Sequence, residues 1–120
     1  MTEMKKTLFV DIDGTLIKHQ GSLTNMVTKD MKILSDVIEK FNQWNADGHK
    51  IILTTGRPES MRKLTIDGLL KLGLFYDQLI MGITRGERIV INDRKPSHKN
   101  MRVARAIEIN RNDGLKNVDI

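Results

Sequence analysis

Asp11 and Asp13 flank Ile12 at the end of a short apolar run, and Gly14 follows them. Alternate side chains of an extended strand share a face, so the two carboxylates stand side by side. Carboxylates that close repel each other and are costly without a cation. Magnesium suits such a pair, because it takes one or two carboxylates and fills its remaining positions with water and phosphate oxygens. Asp93 ends another apolar run and is placed to complete the set. Alone, Asp-X-Asp-Gly fits a turn with a loop cap equally well. Its weight comes from company. Thr54-Thr55-Gly56-Arg57 and Asn92-Asp93-Arg94-Lys95 also follow apolar runs.

The elements that must carry these residues alternate between strand and helix. Leu8–Ile12 is an apolar, strand-forming run, nearly continuous in the way of strands buried on both faces. Thr15–Thr28 has loop composition with room for a short turn of structure. Met31, Leu34, Val37, Ile38, Phe41 and Trp44 make one apolar stripe, which predicts a helix from about Thr28 to Asp47, stopped by Gly48. Ile51–Thr55 is a second strand. Pro58-Glu59 opens a second helix, with Met61, Leu64, Leu69, Leu70 and Leu72 on its apolar side and Gly73 at its end. Gln78–Met81 predicts a third strand and Arg88–Asn92 a fourth, joined by a turn over 82–86. Asn100–Asn110 predicts a third helix and Lys116–Ile120 a final edge strand. Such alternation implies an α/β sandwich of three layers, a Rossmann-like parallel sheet of about five strands with helices on both faces. Ligands of these sheets bind beyond the carboxyl ends of the strands, where all three polar clusters fall.

Phe9-Val10-Asp11-Ile12-Asp13-Gly14-Thr15-Leu16 resembles the first signature of the haloacid dehalogenase-like phosphatase superfamily, and the resemblance runs from Leu8 to about Pro96. It implies that Asp11 attacks phosphorus to form an aspartyl phosphate. It further implies that Asp13 protonates the leaving alcohol and then activates water, a division that splits one hard displacement into two easier ones. Ile51–Pro58 resembles the second motif, which makes Thr55 with Gly56 the phosphate ligand and Thr54 the alternative. Ile89-Val90-Ile91-Asn92-Asp93 resembles the fourth, with Asp93 joining Asp11 and Asp13 as ligands of Mg2+ and Asn92 as a second candidate. The third motif departs from the pattern: Gly82-Ile83 stands where small capsule-biosynthesis relatives have Gly-Lys. Lys95 is the first substitute for that phosphate-neutralising cation, then Arg85 or Arg88.

The chain has 120 residues, room for one domain over 1–120 and no second core. No apolar run approaches the ~20 residues of a membrane span, and Met1–Lys6 leads into too short a run for a signal peptide. The absence of cysteine excludes thiolate sites and fits the cytoplasm. The net charge of +5 is spread along the chain and attracts phosphate-bearing molecules. Aromatics at 4% are too few for a nucleic-acid stacking platform. His19, His49 and His98 lack metal-ligand spacing. Neither 14–28 nor 73–77 leaves room for a cap domain, so the resemblance implies a capless enzyme, and a homo-oligomer (dimer or tetramer) in which a neighbour acts as lid. Similarity to capsule and lipopolysaccharide relatives implies a sugar phosphate as substrate. The competing expectations are a nucleic-acid end phosphatase and a non-catalytic binding or regulatory protein on the same fold.

Overall fold

The computed structural model describes residues 4–120; of the polar lead Met1–Lys6, residues 1–3 lie outside the described residues. Three parallel strands, β1 (Thr7–Asp11), β2 (Lys50–Thr54) and β3 (Gln78–Ile80), form one sheet in the order β1-β2-β3. Leu8, Val10, Ile51 and Leu53 give the first two strands their apolar ladder, in the register Leu8↔Ile51, Val10↔Leu53 and Asp11↔Thr54. β3 joins through Leu53↔Leu79 and Thr54↔Ile80.

The helices are α1 (Leu23–Thr28), α2 (Val37–Ala46) and α3 (Arg62–Lys71), with a 3-10 turn over Glu59–Met61 before α3. Ser22 caps α1 by accepting from the Asn25 N–H at 3.1 Å. Val37, Phe41 and Trp44 of α2 pack into one core with Val10, Ile51 and Leu53, and Leu69 of α3 joins them.

The sequence places the start of α2 about nine residues early, counting from Thr28 to Val37. Residues 29–34 run extended instead and 35–36 turn into α2, because the extended residues serve as backbone partners for the loop after β1. Lys18 N donates to Lys32 O at 2.8 Å and Leu34 N to Leu16 O at 3.0 Å. Met31 and Leu34 still reach the core, from an extended segment rather than a helix face.

The expected open parallel α/β sheet is present, but among the described residues it has three strands where about five were expected. Neither the strand over 88–92 nor the helix over 100–110 forms. Residues 84–108 make an exposed arm without regular secondary structure, its outward and returning limbs joined where the Asn92 amide donates to Val103 O at 2.9 Å. The reason lies where the arm leaves the sheet. Gly82 N donates to Arg57 O and Ile83 N to Thr55 O, which ties the chain to the carboxyl end of β2. A parallel fourth strand beside β1 would have to start at the opposite end. Without ladder bonds the segment has nothing to hold it as a strand.

The chain returns to the body at its C-terminus. Residues 116–120 form no edge strand; Leu115 and Val118 are buried in the core, and Leu115 N donates to Ser35 O at 2.9 Å. Gly114 makes this docking possible. Its φ is +73°, and a Cβ there would stand 2.5 Å from Ser35 O and 2.7 Å from Ser35 N, both rigid backbone. Gly114→Ala is therefore expected to lower stability by about 2 kcal/mol or more. Urea unfolding checks this, and an unchanged midpoint would mean that the segment does not sit against Ser35.

Candidate active site

The carboxyl ends of β1 and β2 bring the first two polar clusters together. Asp11 is the last residue of β1 and shares its register position with Thr54. Its carboxylate is half-buried. Burial pushes its pKa above the ordinary 3.8, with nearby Asp13 adding to the rise and the Ile12 backbone N–H, the Arg88 charge and the Thr15 hydroxyl opposing it. Among the described residues, Asp11 makes no ion pair.

Asp13 is held quite differently. Arg57 grips both its oxygens, Nε to Oδ2 and Nη2 to Oδ1, each at 2.8 Å. The guanidinium is 2% exposed and spends its other donors on Thr65 Oγ1 at 3.2 Å and Gln20 Oε1 at 3.5 Å. It is a planar bidentate pair, with the partners 44 positions apart in sequence. From the sequence Arg57, just past the second strand, is free to meet a substrate anion or to serve as a surface cap or salt-bridge partner; the structure makes it the ion-pair partner of Asp13. Thr15 and Gln20 escaped that reasoning, although Thr15 follows Asp-X-Asp-Gly directly.

Gly14 turns the chain at φ +82°, and Asn112 N donates to its carbonyl at 2.8 Å, so the returning C-terminal segment braces this loop. Thr55 is 1% exposed; its N–H donates to Ile80 O at 2.9 Å and its hydroxyl accepts from Arg57 N at 3.1 Å. Thr54 is partly exposed, beside Asp11. Gly56 lies under Ile83 O, which a Cβ would meet at 3.3 Å.

The third cluster does not join the others. Asp93 and Lys95 stand on the exposed arm and pair with each other, which holds the Asp93 carboxyl below its ordinary pKa. Asn92 Oδ1 accepts from Asp93 N. Of the three basic candidates, Arg88 is the one whose charge acts on Asp11, its Nη1 anchored by Thr84 O at 2.9 Å and Gly86 O at 3.0 Å. Among the described residues, no three acidic or histidine side chains gather as a metal set. The two carboxylates of the Asp-X-Asp motif are thus divided: Arg57 neutralises one, and the other stays open.

His49 Nδ1 accepts from Lys6 N at 3.0 Å, a structural tie between the starts of β1 and β2. His19 N donates to Asn112 Oδ1, and the His98 ring pairs with Ser97 on the arm.

A family model described as haloacid dehalogenase-like hydrolase matches residues 8–110. Among solved structures, a structural-genomics target from Vibrio cholerae resembles the chain with a TM-score of 0.53 and 23% identity, covering 82% of this chain and 90% of that one. This likeness is one of fold. No curated protein matches the chain significantly.

Two outcomes follow from the geometry. Asp13→Ala strands a buried guanidinium and is expected to cost about 3–5 kcal/mol in urea unfolding; a loss under about 1 kcal/mol would place the pair in effectively solvated surroundings. Asp11 has a raised folded pKa, so its contribution to stability is full below 3.8 and is lost as pH rises through the folded value. Asp11→Asn should therefore raise the urea midpoint at neutral pH relative to wild type, and the gain should vanish as pH falls past 3.8. A gain that persists in acid would exclude desolvation of Asp11 as its cause.

Proposed function

Because the chain belongs to the haloacid dehalogenase-like hydrolases, we propose that it is a phosphomonoester hydrolase with Asp11 as the nucleophile. The observation that carries this reading is the unequal treatment of the two motif aspartates. Arg57 takes both oxygens of Asp13, while Asp11 ends its strand half-buried and without an ion pair among the described residues. A carboxylate removed from water and free of a direct cation keeps its nucleophilicity for an incoming phosphoryl group.

In the first half-reaction an Asp11 Oδ forms a bond to phosphorus as the bond to the alcohol oxygen breaks. Asp13, which must enter this half protonated with one oxygen released from Arg57, gives the alcohol oxygen its proton and becomes the carboxylate. In the second half, Asp13 takes a proton from water, whose oxygen attacks phosphorus; the Asp11 oxygen leaves, and inorganic phosphate is released. Asp13 can serve in this way by giving up one of its two bonds to Arg57, which retains the other and keeps the carboxylate aimed. The Thr15 hydroxyl favours the charged form of the Asp11 carboxylate, as does the more distant Arg88 charge while its arm stays with the protomer. Thr54 or Thr55, with Gly56, lines the phosphate side.

Mg2+ is part of the same proposal, since this family commonly uses it and it would supply charge neutralisation at the phosphoryl oxygens. One protomer does not offer it a full donor set: Asp13 is committed to Arg57 and Asp93 stands on the arm. No step above is routed through it.

The connection from β1 to α2 holds only the short α1, and α3 reaches β3 through residues 72–77. That supports a capless, open site, with the whole chain acting as one hydrolase unit on a sugar phosphate or another small phosphorylated metabolite. No helix among the described residues is long and apolar enough to cross a membrane, and we place the enzyme in the cytoplasm. One observation favours a non-catalytic reading: Asp93 and Lys95 lie away from Asp11.

Phosphate release from sugar phosphates, nucleotides and an aryl phosphate, with Mg2+ and with chelator, separates the readings. Metal-dependent release is expected, and Asp11→Asn should reduce it by about a thousandfold or more with the circular dichroism spectrum unchanged. An active Asp11→Asn variant would remove the nucleophile assignment. A folded wild type that releases no phosphate from any substrate would favour the non-catalytic reading.

A further inference from the structure

Two features of the protomer lack partners among the described residues, and they match. Among the described residues β1 pairs only with β2, which leaves its outer edge open there, and Phe9 on that edge strand is 57% exposed. The arm carries Ile89, Val90 and Ile91 at 73%, 58% and 94% exposure, a strand-forming triplet with no sheet to join. The radius of gyration is 15.3 Å, against about 13.6 Å for a compact chain of this length.

The arm cannot satisfy its own β1. Ile83 is tied to Thr55 O, just past the end of β2. A parallel strand with Asn92 level with Asp11 would begin with Arg88 level with Thr7, which pairs with Lys50. That start lies about 10 Å sideways and about 16 Å back along the strands, roughly 19 Å through the sheet itself and farther around it. The five steps from Ile83 to Arg88 span at most about 18 Å fully extended.

We propose that two copies of the chain exchange arms, so that Arg88–Asn92 of each adds as a parallel strand to the open β1 edge of the other and delivers Asp93 to the other's Asp11. A two-fold axis perpendicular to the strands sets the two β1 strands in opposite directions. Each arm then leaves from its own Ile83, held at the carboxyl end of its own sheet by the tie to Thr55 O, and runs up alongside the second copy's β1. The crossing is sideways only. In this register Ile89 and Ile91 fall on the face of Leu8 and Val10, which belongs to the core, and Val90 stands next to Phe9. Backbone ladder bonds close both open edges, the usual reward of strand addition. Asn92 and Asp93 arrive at the strand end that holds Asp11, where one protomer lacks its third carboxylate. This role for Asp93 rests on the phosphatase reading; the exchange of arms does not.

The chain has no cysteine, which makes cross-linking clean. Residues 9 and 90 would be neighbours about 4.8 Å apart at Cα, within disulfide reach. Oxidised Phe9→Cys/Val90→Cys should run as a covalent dimer in non-reducing electrophoresis. A monomer with an internal disulfide, or with free thiols, would overturn the exchange. Light scattering on the wild type should give twice the chain mass, and a monomer would overturn it as well. For the shared site, Asp11→Asn and Asp93→Asn are each expected to be inactive. Unfolded and refolded together they should recover about a quarter of wild-type phosphate release, since half the dimers are mixed and each of these has one intact site. No recovery, or an active Asp93→Asn, would overturn the delivery of Asp93. A covalent dimer whose wild type releases no phosphate would instead count against the phosphatase reading alone.

Discussion

The bidentate pair between Arg57 and Asp13 is the interaction on which the rest of this site depends. It joins the loop after β1 to the turn after β2, the two chain ends where chemistry collects. Burying a guanidinium is costly, and the cost is offset only when its donors are met. Here Asp13 takes two bonds, and Thr65 and Gln20 take others. The same pair explains how two aspartates can stand one residue apart. Their spacing calls for a cation, and the protein supplies an internal one to Asp13. Asp11 is left with burial, the nearby Ile12 N–H and Thr15 hydroxyl and a more distant Arg88, an environment that raises its pKa without neutralising it.

A second constraint is the tie at Ile83. It is a single backbone bond to Thr55 O, yet it decides where the rest of the chain can go. Gly56 lets Ile83 approach, since a side chain there would press on its carbonyl. Once the chain is held at that end of the sheet, too few residues remain to reach the far end before the Ile-Val-Ile triplet begins. The arm, the open β1 edge and the missing fourth strand are therefore one fact seen from three sides. The return of the chain at Gly114 and Leu115 closes the arm onto the body and braces the Gly14 loop through Asn112.

These constraints mark where sequence reasoning succeeds and where it stops. β1, β2 and β3 lie within a residue or so of their predicted places, and Phe41 and Trp44 pack as their helical spacing implies. Such features depend on local periodicity and on burial. The start of α2 was not legible, because Met31 and Leu34 are apolar at helical spacing whether a helix or an extended segment carries them. The triplet at 89–91 has strand propensity, but propensity names no ladder partner, and the partner is a matter of reach. The role of Arg57 was open for the same reason: its acceptor lies 44 positions away, at a distance only the fold can set.

The arrangement also resolves a difficulty that a self-contained site would face. Asp11, Asp13 and Asp93 gathered at one sheet end without metal would repel one another through a partly desolvated region. In the protomer that repulsion is divided. Arg57 neutralises Asp13, Lys95 neutralises Asp93 on the arm, and Asp11 alone bears the burial. Each carboxylate is thus affordable before any assembly or metal binding. In the exchanged dimer the ladder bonds and the newly covered Ile89 and Ile91 would supply the free energy that brings Asp93 to Asp11. Hydrophobic strand pairing would then work against carboxylate repulsion, and a divalent cation, binding only where both carboxylates meet, would favour the paired state by mass action. Assembly and site formation become one equilibrium, with the arm as the element that both share.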